Sequence, residues 1–277
     1  MGEPLTLEKR GVNILSHFDL KVIAVILMTV DHIALFFLSP TSLAYAVMRG
    51  FGRLAFPLFA FMAVEGTFKS HNNLIYALKL LILGAVIDVT MVLIDNGAYY
   101  TGNSMMELGL GVLGLSLITK KKWYSVLAII PFTIMVLADF SFFPIRVEYG
   151  TLGLIMMLTF FIGKLLTNYY FDSISSKLHC DYKMVIGVNK VQTISNVFSI
   201  SMLVFTYLVF FMLWSFFPEL GIFTNFFSFQ IEQYGILASV IILFYSGRQG
   251  FNNKIVNWAF YIYYPLHMIV LALIAIL

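Results

Sequence analysis

The chain has little charge and almost no cysteine. Only 11% of its 277 residues are charged, whereas 60% are hydrophobic. About a quarter of the residues in a typical soluble domain are charged, so this composition excludes an ordinary soluble protein. The single cysteine, Cys180, excludes an intramolecular disulfide and a cysteine-rich metal site. The net charge of +3 is small and its basic residues are confined to short segments, so no nucleic-acid partner is predicted.

Long apolar runs dominate the sequence instead. Runs of about 17–25 residues recur along the chain, and each is long enough to cross a bilayer as a helix. Hydropathy predicts about nine transmembrane helices, at 20–38, 52–66, 74–94, 106–119, 123–138, 149–166, 198–217, 232–247 and 256–276. The segments 52–66 and 106–119 are short for a span. The predicted fold is an all-α polytopic membrane helix bundle, with residues 1–277 forming a single domain.

The positions of lysine and arginine predict the orientation of the bundle. They are concentrated in alternate connecting segments, while 96–104 and 218–231 contain none. Because positive residues stay on the cytoplasmic side, the N-terminus is predicted to be cytoplasmic and the C-terminus outside. The polar stretch at about 167–197 is then a cytoplasmic loop or a small surface helix. Three arginines depart from this positive-inside distribution and need another explanation: Arg49, Arg53 and Arg146.

Several ionisable residues lie inside the apolar runs. Asp31 and His32 are adjacent in the sequence MTVDHIALFFL (28–38), and Arg53 and Asp88 fall at a similar predicted depth. A charge at mid-membrane costs roughly 2.5–3.5 kcal/mol, so each such residue is a functional candidate. Asp31 and His32 lie about 100° apart around a helix and need different partners, and we expect Asp31 to meet a cation from another helix. The alternative is that these groups form purely structural pairs.

Two further segments carry polar groups. Glu107 lies at the outer end of the fourth predicted span, and His267 and Tyr264 lie in the last one, beside Pro265. The side chains of the last span, including His267 and Tyr264, either line a polar cavity or form an aromatic packing cluster. The nearby letters Gly109-Leu-Gly-Val-Leu-Gly114 match a dinucleotide-binding pattern, but no strand precedes them. Close helix packing explains these glycines better.

The candidate residues favour acid–base chemistry without a metal. The sequence has no metal-ligand spacing of the His-Glu-x-x-His type and no nucleophile elbow. A histidine base, oriented by a carboxylate and flanked by an arginine, suits removal of a proton from a hydroxyl or an amine, as acyl transfer requires. Lys120, Lys121 and Lys122 either hold the phosphates of an anionic donor or simply enforce the topology.

Three blocks of the sequence resemble the TraX family of membrane acetyltransferases. They are Leu20-Lys-Val-Ile-Ala-Val-Ile-Leu-Met-Thr-Val-Asp-His32, Phe51-Gly-Arg-Leu-Ala-Phe-Pro-Leu-Phe-Ala-Phe-Met-Ala-Val-Glu-Gly66 and Phe260-Tyr-Ile-Tyr-Tyr-Pro-Leu-His267. A weaker block is Glu148-Tyr-Gly-Thr-Leu-Gly153. The blocks occur in order and span nearly the whole chain. The family in turn resembles the wider transmembrane acyltransferases.

The resemblance implies an enzyme of the bacterial inner (cytoplasmic) membrane that transfers acetyl from cytosolic acetyl-CoA to an extracytoplasmic acceptor, with no metal. The acceptor in that family is the N-terminus of a conjugative pilin, and a surface-glycan hydroxyl is the alternative. The resemblance implies that His32 is the catalytic base, with Asp31 and Arg53 beside it in the catalytic group, and that His267 lines the same cavity. From the residues themselves we expect Tyr264, Lys120, Lys121 and Lys122 to bind the donor together with His267, and Asp88 and Glu107 to orient the substrate. The predicted partners are acetyl-CoA, an exported protein or glycan, and the lipid bilayer, and homo-oligomerisation stays open.

Two other functions are compatible with the same residues. One is a proton-coupled transporter that uses Asp31, Asp88 and His267 as relay groups. The other is a non-catalytic immunity or scaffold protein whose polar cluster is only structural.

Overall fold

Helices are the only regular secondary structure in the part of the chain that the computed structural model describes, which is residues 13–95, 103–120, 123–139, 147–179, 188–216 and 232–277. The α-helices are α1 His17–Phe37, α2 Leu43–Gly52, α3 Ala55–Lys69, α4 Asn73–Asp95, α5 Ser104–Thr119, α6 Ile129–Leu137, α7 Gly150–Leu178, α8 Val188–Phe216, α9 Ala238–Leu243 and α10 Lys254–Ile276. Two 3-10 helices, Trp123–Ala128 and Gln233–Leu237, lead into α6 and α9. The predicted all-α fold is confirmed.

Within the described ranges, six helical stretches are long and apolar enough to cross a membrane, so the chain is a multi-pass membrane protein. They are His17–Phe37, Leu43–Lys69, Asn73–Leu93, Gly150–Lys177, Lys190–Met212 and Lys254–Ala275. Three apolar helical segments are shorter: Ser104–Thr119, Trp123–Leu137 and Gln233–Leu243. The predicted short span at 52–66 corresponds to α3 Ala55–Lys69, and α2 extends the helical stretch on its N-terminal side, so that Leu43–Lys69 covers 27 residues. Arg49 and Arg53 lower the average hydropathy at the start of that stretch and concealed its length.

The polar stretch predicted as a loop or small surface helix at 167–197 consists largely of the ends of two long helices. α7 continues to Leu178 and α8 begins at Val188, so residues 167–178 and 188–197 are helical. Hydropathy detects only the apolar part of a helix, and these polar turns extend beyond it.

Local signals explain where the helices begin. Ser16 and Asp19 form a reciprocal capping box at the start of α1. Asn103 caps α5 by accepting from Met105 N at 2.8 Å. Between α2 and α3 the helix is interrupted at residues 53–54, and Pro57 lies in the first turn of α3, where its missing N–H leaves no bond unmade. This interruption places Arg53 at a helix junction.

The glycines of α5 allow neighbouring helices to approach closely, as predicted. A Cβ on Gly111 would overlap the side chain of Met157 on α7, and one on Gly114 would overlap the ring of Phe132 on α6. The helix faces that point away from the bundle are apolar. On α4 they include an exposed stripe of Ile82, Val86, Val89 and Leu93. Exposed apolar stripes of this kind fit contact with lipid.

The helices meet at two chemically different ends of the bundle. At the lysine end, Lys164 lies 3.6 Å from Glu65, Lys69 donates to the carbonyl of Gly247 at 3.4 Å, and the N–H of His17 donates to the carbonyl of Arg248 at 2.8 Å. The arginine end holds the ion pairs of Asp31, Arg49, Arg53, Glu148 and Glu232.

Candidate functional site

Two arginines converge on one carboxylate at the arginine end. Asp31 of α1 accepts hydrogen bonds from Nη1 of Arg49 on α2 and from Nη2 of Arg53 at the α2–α3 junction. Asp31 and Arg53 are both 3% exposed, so this pair is buried. The prediction that Asp31 meets a cation from another helix is confirmed, and the pairing accounts for two of the arginines, Arg49 and Arg53, that the predicted orientation places near the outer face.

The Arg53 guanidinium also binds two glutamates from distant parts of the chain. Its Nη1 lies 2.8 Å from Oε1 of Glu232 and 3.3 Å from Oε1 of Glu148. Its Cζ lies 5.6 Å from the ring centroid of Tyr149, a cation–π distance. Burial raises the pKa of Glu148, and the Arg53 guanidinium opposes that rise. Three carboxylates against two guanidiniums leave the cluster with one formal negative charge.

Gly52 makes room for this cluster. A Cβ at Gly52 would overlap the carboxylate of Asp31, so any larger residue there would push α1 and α2 apart or displace the carboxylate. The glycine directly before Arg53 is thus explained by the close approach of Asp31.

His32 has a different partner from its neighbour Asp31. Its Nδ1 lies 2.7 Å from Nε2 of His267 on α10, and Nδ1 of His267 lies 2.9 Å from the carbonyl oxygen of Tyr263. Both histidines are buried, at 6% and 7% exposure. The sequence predicted a carboxylate as the group that orients the histidine base. In the structure Asp31 binds the arginines, and a second histidine contacts His32.

Three other predicted residues, Tyr264, Asp88 and Glu107, have hydrogen-bond partners outside this pair. The hydroxyl of Tyr264 lies 2.6 Å from Oγ of Ser104, which links α10 to α5. Asp88 accepts from Nδ2 of Asn103 at 2.9 Å. Glu107 is fully buried and its Oε2 accepts from the backbone N–H of Tyr149 at 2.9 Å, so it fixes the segment that carries Glu148.

A large cavity opens at the lysine end. Its volume is about 510 Å³, within the range of small-molecule sites. Lys21, Lys69 and Lys79 line it, and Glu65 is the only carboxylate among its lining residues. The rest of the lining is mainly apolar or aromatic and includes Val25, Met28, Phe59, Met62, Tyr76, Leu80, Met105, Leu108, Phe260, Tyr261 and Tyr264.

A second, much smaller cavity lies beside His32. Its volume is about 20 Å³, enough for one water-sized group. Its lining comprises Met28, Asp31, His32, Gly52, Arg53, Ala55, Phe56, Phe59, Ser104, Glu148 and Tyr149. Met28 and Phe59 line both cavities, so these two side chains separate the large cavity from the histidine.

The structure describes only Lys120 of the predicted lysine triplet. Lys120 lines neither cavity, and Lys121 and Lys122 lie outside the described residues. Among the predicted donor-binding residues, Tyr264 lines the large cavity, whereas His267 contacts His32.

Comparison with known proteins identifies the family. The profile of the family described as "TraX protein" matches residues 16–275. The chain belongs to the TraX family. It is 29% identical over 269 residues to a protein of Dichelobacter nodosus named "Probable fimbrial assembly protein FimC, serogroup H1", and the match covers 92% of this chain and 94% of that protein. No solved structure matches the chain.

The three sequence blocks that resemble TraX meet in space. Asp31 and His32 come from the first block, Gly52 and Arg53 from the second and His267 from the third, and all five surround the small cavity or contact a residue that lines it. The weaker block supplies Glu148, which binds Arg53. TraX membership and the geometry therefore point to the same region of the bundle.

Several members of this TraX site were not predicted from the sequence. Glu148 and Glu232 border apolar spans on the side that lacks lysine, and that position was the available signal for acidic partners of Arg53. Lys21 and Lys79 lie inside apolar runs near their lysine-end termini. Nothing in the sequence groups them, whereas the fold brings both to one cavity.

Proposed function

We propose that this TraX-family protein is an integral-membrane acyltransferase that moves an acetyl group from acetyl-CoA to an acceptor on the opposite side of the membrane. The observation that carries the proposal is a large cavity that begins at three lysines and ends at two side chains, Met28 and Phe59, which also border the small cavity of His32. A basic entrance suits the phosphates of CoA, and a buried histidine suits a general base for acyl transfer.

We place the lysine end in the cytoplasm of a bacterium, with the protein in the inner membrane. Positive residues are retained on that side, and the two arginines at the other end are neutralised by ion pairs. The three shorter apolar segments then complete nine crossings, with a cytoplasmic N-terminus and an external C-terminus. The contacts support this alternation, since α3 and α7 each have one terminus at the arginine end and reach Glu65 or Lys164 at the other.

The donor enters at the lysine end. Lys21, Lys69 and Lys79 attract the phosphates of CoA, which carry several negative charges. The apolar lining beyond them suits the pantetheine arm. Lys21 and His32 are eleven residues apart on α1, about 16 Å at helical rise, a distance that an extended pantetheine arm covers.

The acceptor approaches from the arginine end, and we infer that it is a primary amine, as at the N-terminus of a pilin-like protein. The formal negative charge left over in the cluster of Asp31, Glu148, Glu232, Arg49 and Arg53 attracts a cationic group. The name of the Dichelobacter relative, a probable fimbrial assembly protein, agrees with a pilin-like acceptor. A surface-glycan hydroxyl is the alternative acceptor.

The acceptor arrives as an ammonium and first releases one proton to water. The neutral amine nitrogen then attacks the thioester carbonyl carbon and a C–N bond forms. His32 takes the proton that the nitrogen loses, and the same proton goes to the sulfur when the C–S bond breaks. The products are the acetylated amine and CoA with a free thiol. Arg53, which lines the same small cavity, stabilises the negative charge on the oxygen of the tetrahedral intermediate.

The first experiment titrates the purified protein in detergent with acetyl-CoA, and with ATP as a control anion, by calorimetry. We expect acetyl-CoA to bind and ATP to bind much more weakly. The variant His32→Ala is expected to retain acetyl-CoA binding and to lose turnover of an amine acceptor by a factor of about 10²–10⁴. Absence of acetyl-CoA binding by folded protein would overturn the proposal, and substrate flux without chemical change in sealed vesicles would then favour a proton-coupled transporter.

A further inference from the structure

The geometry of the contact between His32 and His267 determines which ring nitrogens carry protons. The rings of His32 and His267 meet edge to edge, because the nearest nitrogens lie 2.7 Å apart while the ring centroids lie 5.0 Å apart. Their planes are inclined by only 23°. A nitrogen lone pair and an N–H both lie in the plane of an imidazole ring, so this arrangement suits a hydrogen bond between them.

The carbonyl beyond His267 decides the direction of that bond. The oxygen of Tyr263 lies 2.9 Å from Nδ1 of His267 and can only accept, so Nδ1 of His267 carries a proton. In a neutral imidazole the other nitrogen, Nε2, then carries a lone pair and accepts from Nδ1–H of His32. With its proton on Nδ1, neutral His32 has its lone pair on Nε2.

We propose that His267 is a positioning residue, which holds His32 in the tautomer whose Nε2 is the basic atom. This inference rests on the proposed function, since it assigns the atom of His32 that removes the acceptor proton. The carbonyl of Tyr263 and the ring of His267 together take the role that a carboxylate has in a serine-protease triad, where the orienting group selects the tautomer and ring orientation of the histidine base.

The surroundings of both rings agree with this role. The obvious carboxylate, Asp31, binds Arg49 and Arg53 through Oδ2, and its Oδ1 accepts no hydrogen bond within the described residues. The ring of Tyr263 is nearly parallel to His267, at 8° and 5.1 Å between centroids, and so limits its rotation. The hydroxyl of Tyr263 lies 2.8 Å from Oγ1 of Thr29 on α1, the helix of His32. Both histidines are therefore held by the same two helices.

The direct test observes the tautomer and needs no turnover. Protein with ¹⁵N-labelled histidine rings is reconstituted in lipid and studied by solid-state NMR. The chain has only five histidines, and the variants His32→Gln and His267→Gln assign the two signals. We expect neutral His32 to carry its proton on Nδ1 in the wild type and to lose this preference in His267→Leu. A proton on Nε2 of His32 in the wild type, or an unchanged tautomer in His267→Leu, would overturn the inference.

A kinetic comparison of two substitutions tests the consequence. In His267→Leu we expect kcat to fall about 100-fold, while KM for acetyl-CoA changes less than about threefold. In His267→Gln the amide oxygen can accept from His32 and its NH₂ can donate to the carbonyl, so we expect kcat at least about tenfold above that of His267→Leu. Equal loss in both variants contradicts a positioning role.

The two proposals fail in different ways. Absence of acetyl-CoA binding in the wild type refutes the acyltransferase function, whereas the NMR result does not depend on any substrate. Full acetyl transfer together with the wrong tautomer of His32 refutes only the role of His267.

Discussion

Asp31 and Arg53 form an ion pair in which the two side chains are only 4% and 3% exposed. Arg53 shares its guanidinium with Glu148 and Glu232, and Asp31 shares its carboxylate with Arg49, so the pair is the centre of a network that joins four segments. A buried charge that loses its partner is costly, and this network therefore gives the first prediction.

The variant Asp31→Asn is expected to be destabilised by about 3–5 kcal/mol, because it leaves two guanidiniums without their shared carboxylate. The measurement is unfolding of the purified protein in detergent, monitored by circular dichroism. The control is Asp172→Asn, which makes the same chemical change at an exposed position of α7 and should unfold as the wild type does. Equal stability of Asp31→Asn and the wild type would contradict the ion pair.

The close approach at Gly52 gives the second prediction. In Gly52→Ala the new methyl group overlaps the Asp31 carboxylate, so we expect loss of transfer activity and a lower unfolding temperature. Gly50→Ala is the matched control in the same helix, because a Cβ there lies 3.3 Å from the edge of the Tyr234 ring, which can move. Helix propensity alone would favour alanine at both positions, by about 1 kcal/mol. A stabilised, active Gly52→Ala would contradict the proposed geometry.

Lysine substitutions distinguish the cavity from the lysine triplet. The double variant Lys21→Gln/Lys79→Gln is expected to weaken acetyl-CoA binding about tenfold, since each partly exposed charge contributes up to about 1 kcal/mol. The measurement is calorimetric titration with acetyl-CoA at two salt concentrations, because electrostatic attraction is screened by salt.

Lys120→Gln is the control for this experiment. Lys120 has the same charge but lines neither cavity, so we expect an unchanged Kd for acetyl-CoA. A larger effect from Lys120→Gln than from the double variant would instead support the donor site that the sequence predicted at 120–122.

The nature of the acceptor is tested at Glu232. Glu232→Gln keeps an oxygen that can accept from Arg53 but removes one negative charge from the cluster. For a short peptide with a free N-terminal amine we expect KM to rise about tenfold, which corresponds to about 1.4 kcal/mol, with acetyl-CoA binding unchanged. The comparison substrate is an uncharged sugar hydroxyl. Transfer to the sugar in the wild type, at a rate that Glu232→Gln does not change, would favour the glycan alternative.

Much of the site could be predicted because the membrane makes polar residues conspicuous. Asp31, His32 and Arg53 stood out within apolar runs, since ionisable groups are expensive there and are rarely retained without a role. Their depth was also predictable, because helical rise converts sequence position into distance along the membrane normal. The partners of these residues could not be predicted in the same way, because nothing in the sequence pairs His32 with His267 rather than with a carboxylate.

The sequence by itself determined that this is a helical, multi-pass membrane protein, and three of its blocks identified the family. Both follow from local properties, namely length, hydropathy and short motifs, which do not depend on how the helices pack. Only the tertiary structure decided which side chains meet. Asp31 meets arginines and His32 meets His267 because α2–α3 and α10 pack on different faces of α1, and the lysine-lined cavity exists because α1, α3, α4 and α10 leave space between them at one end of the bundle. Helix packing depends on contacts between residues far apart in the chain, and no local pattern in the sequence specifies them.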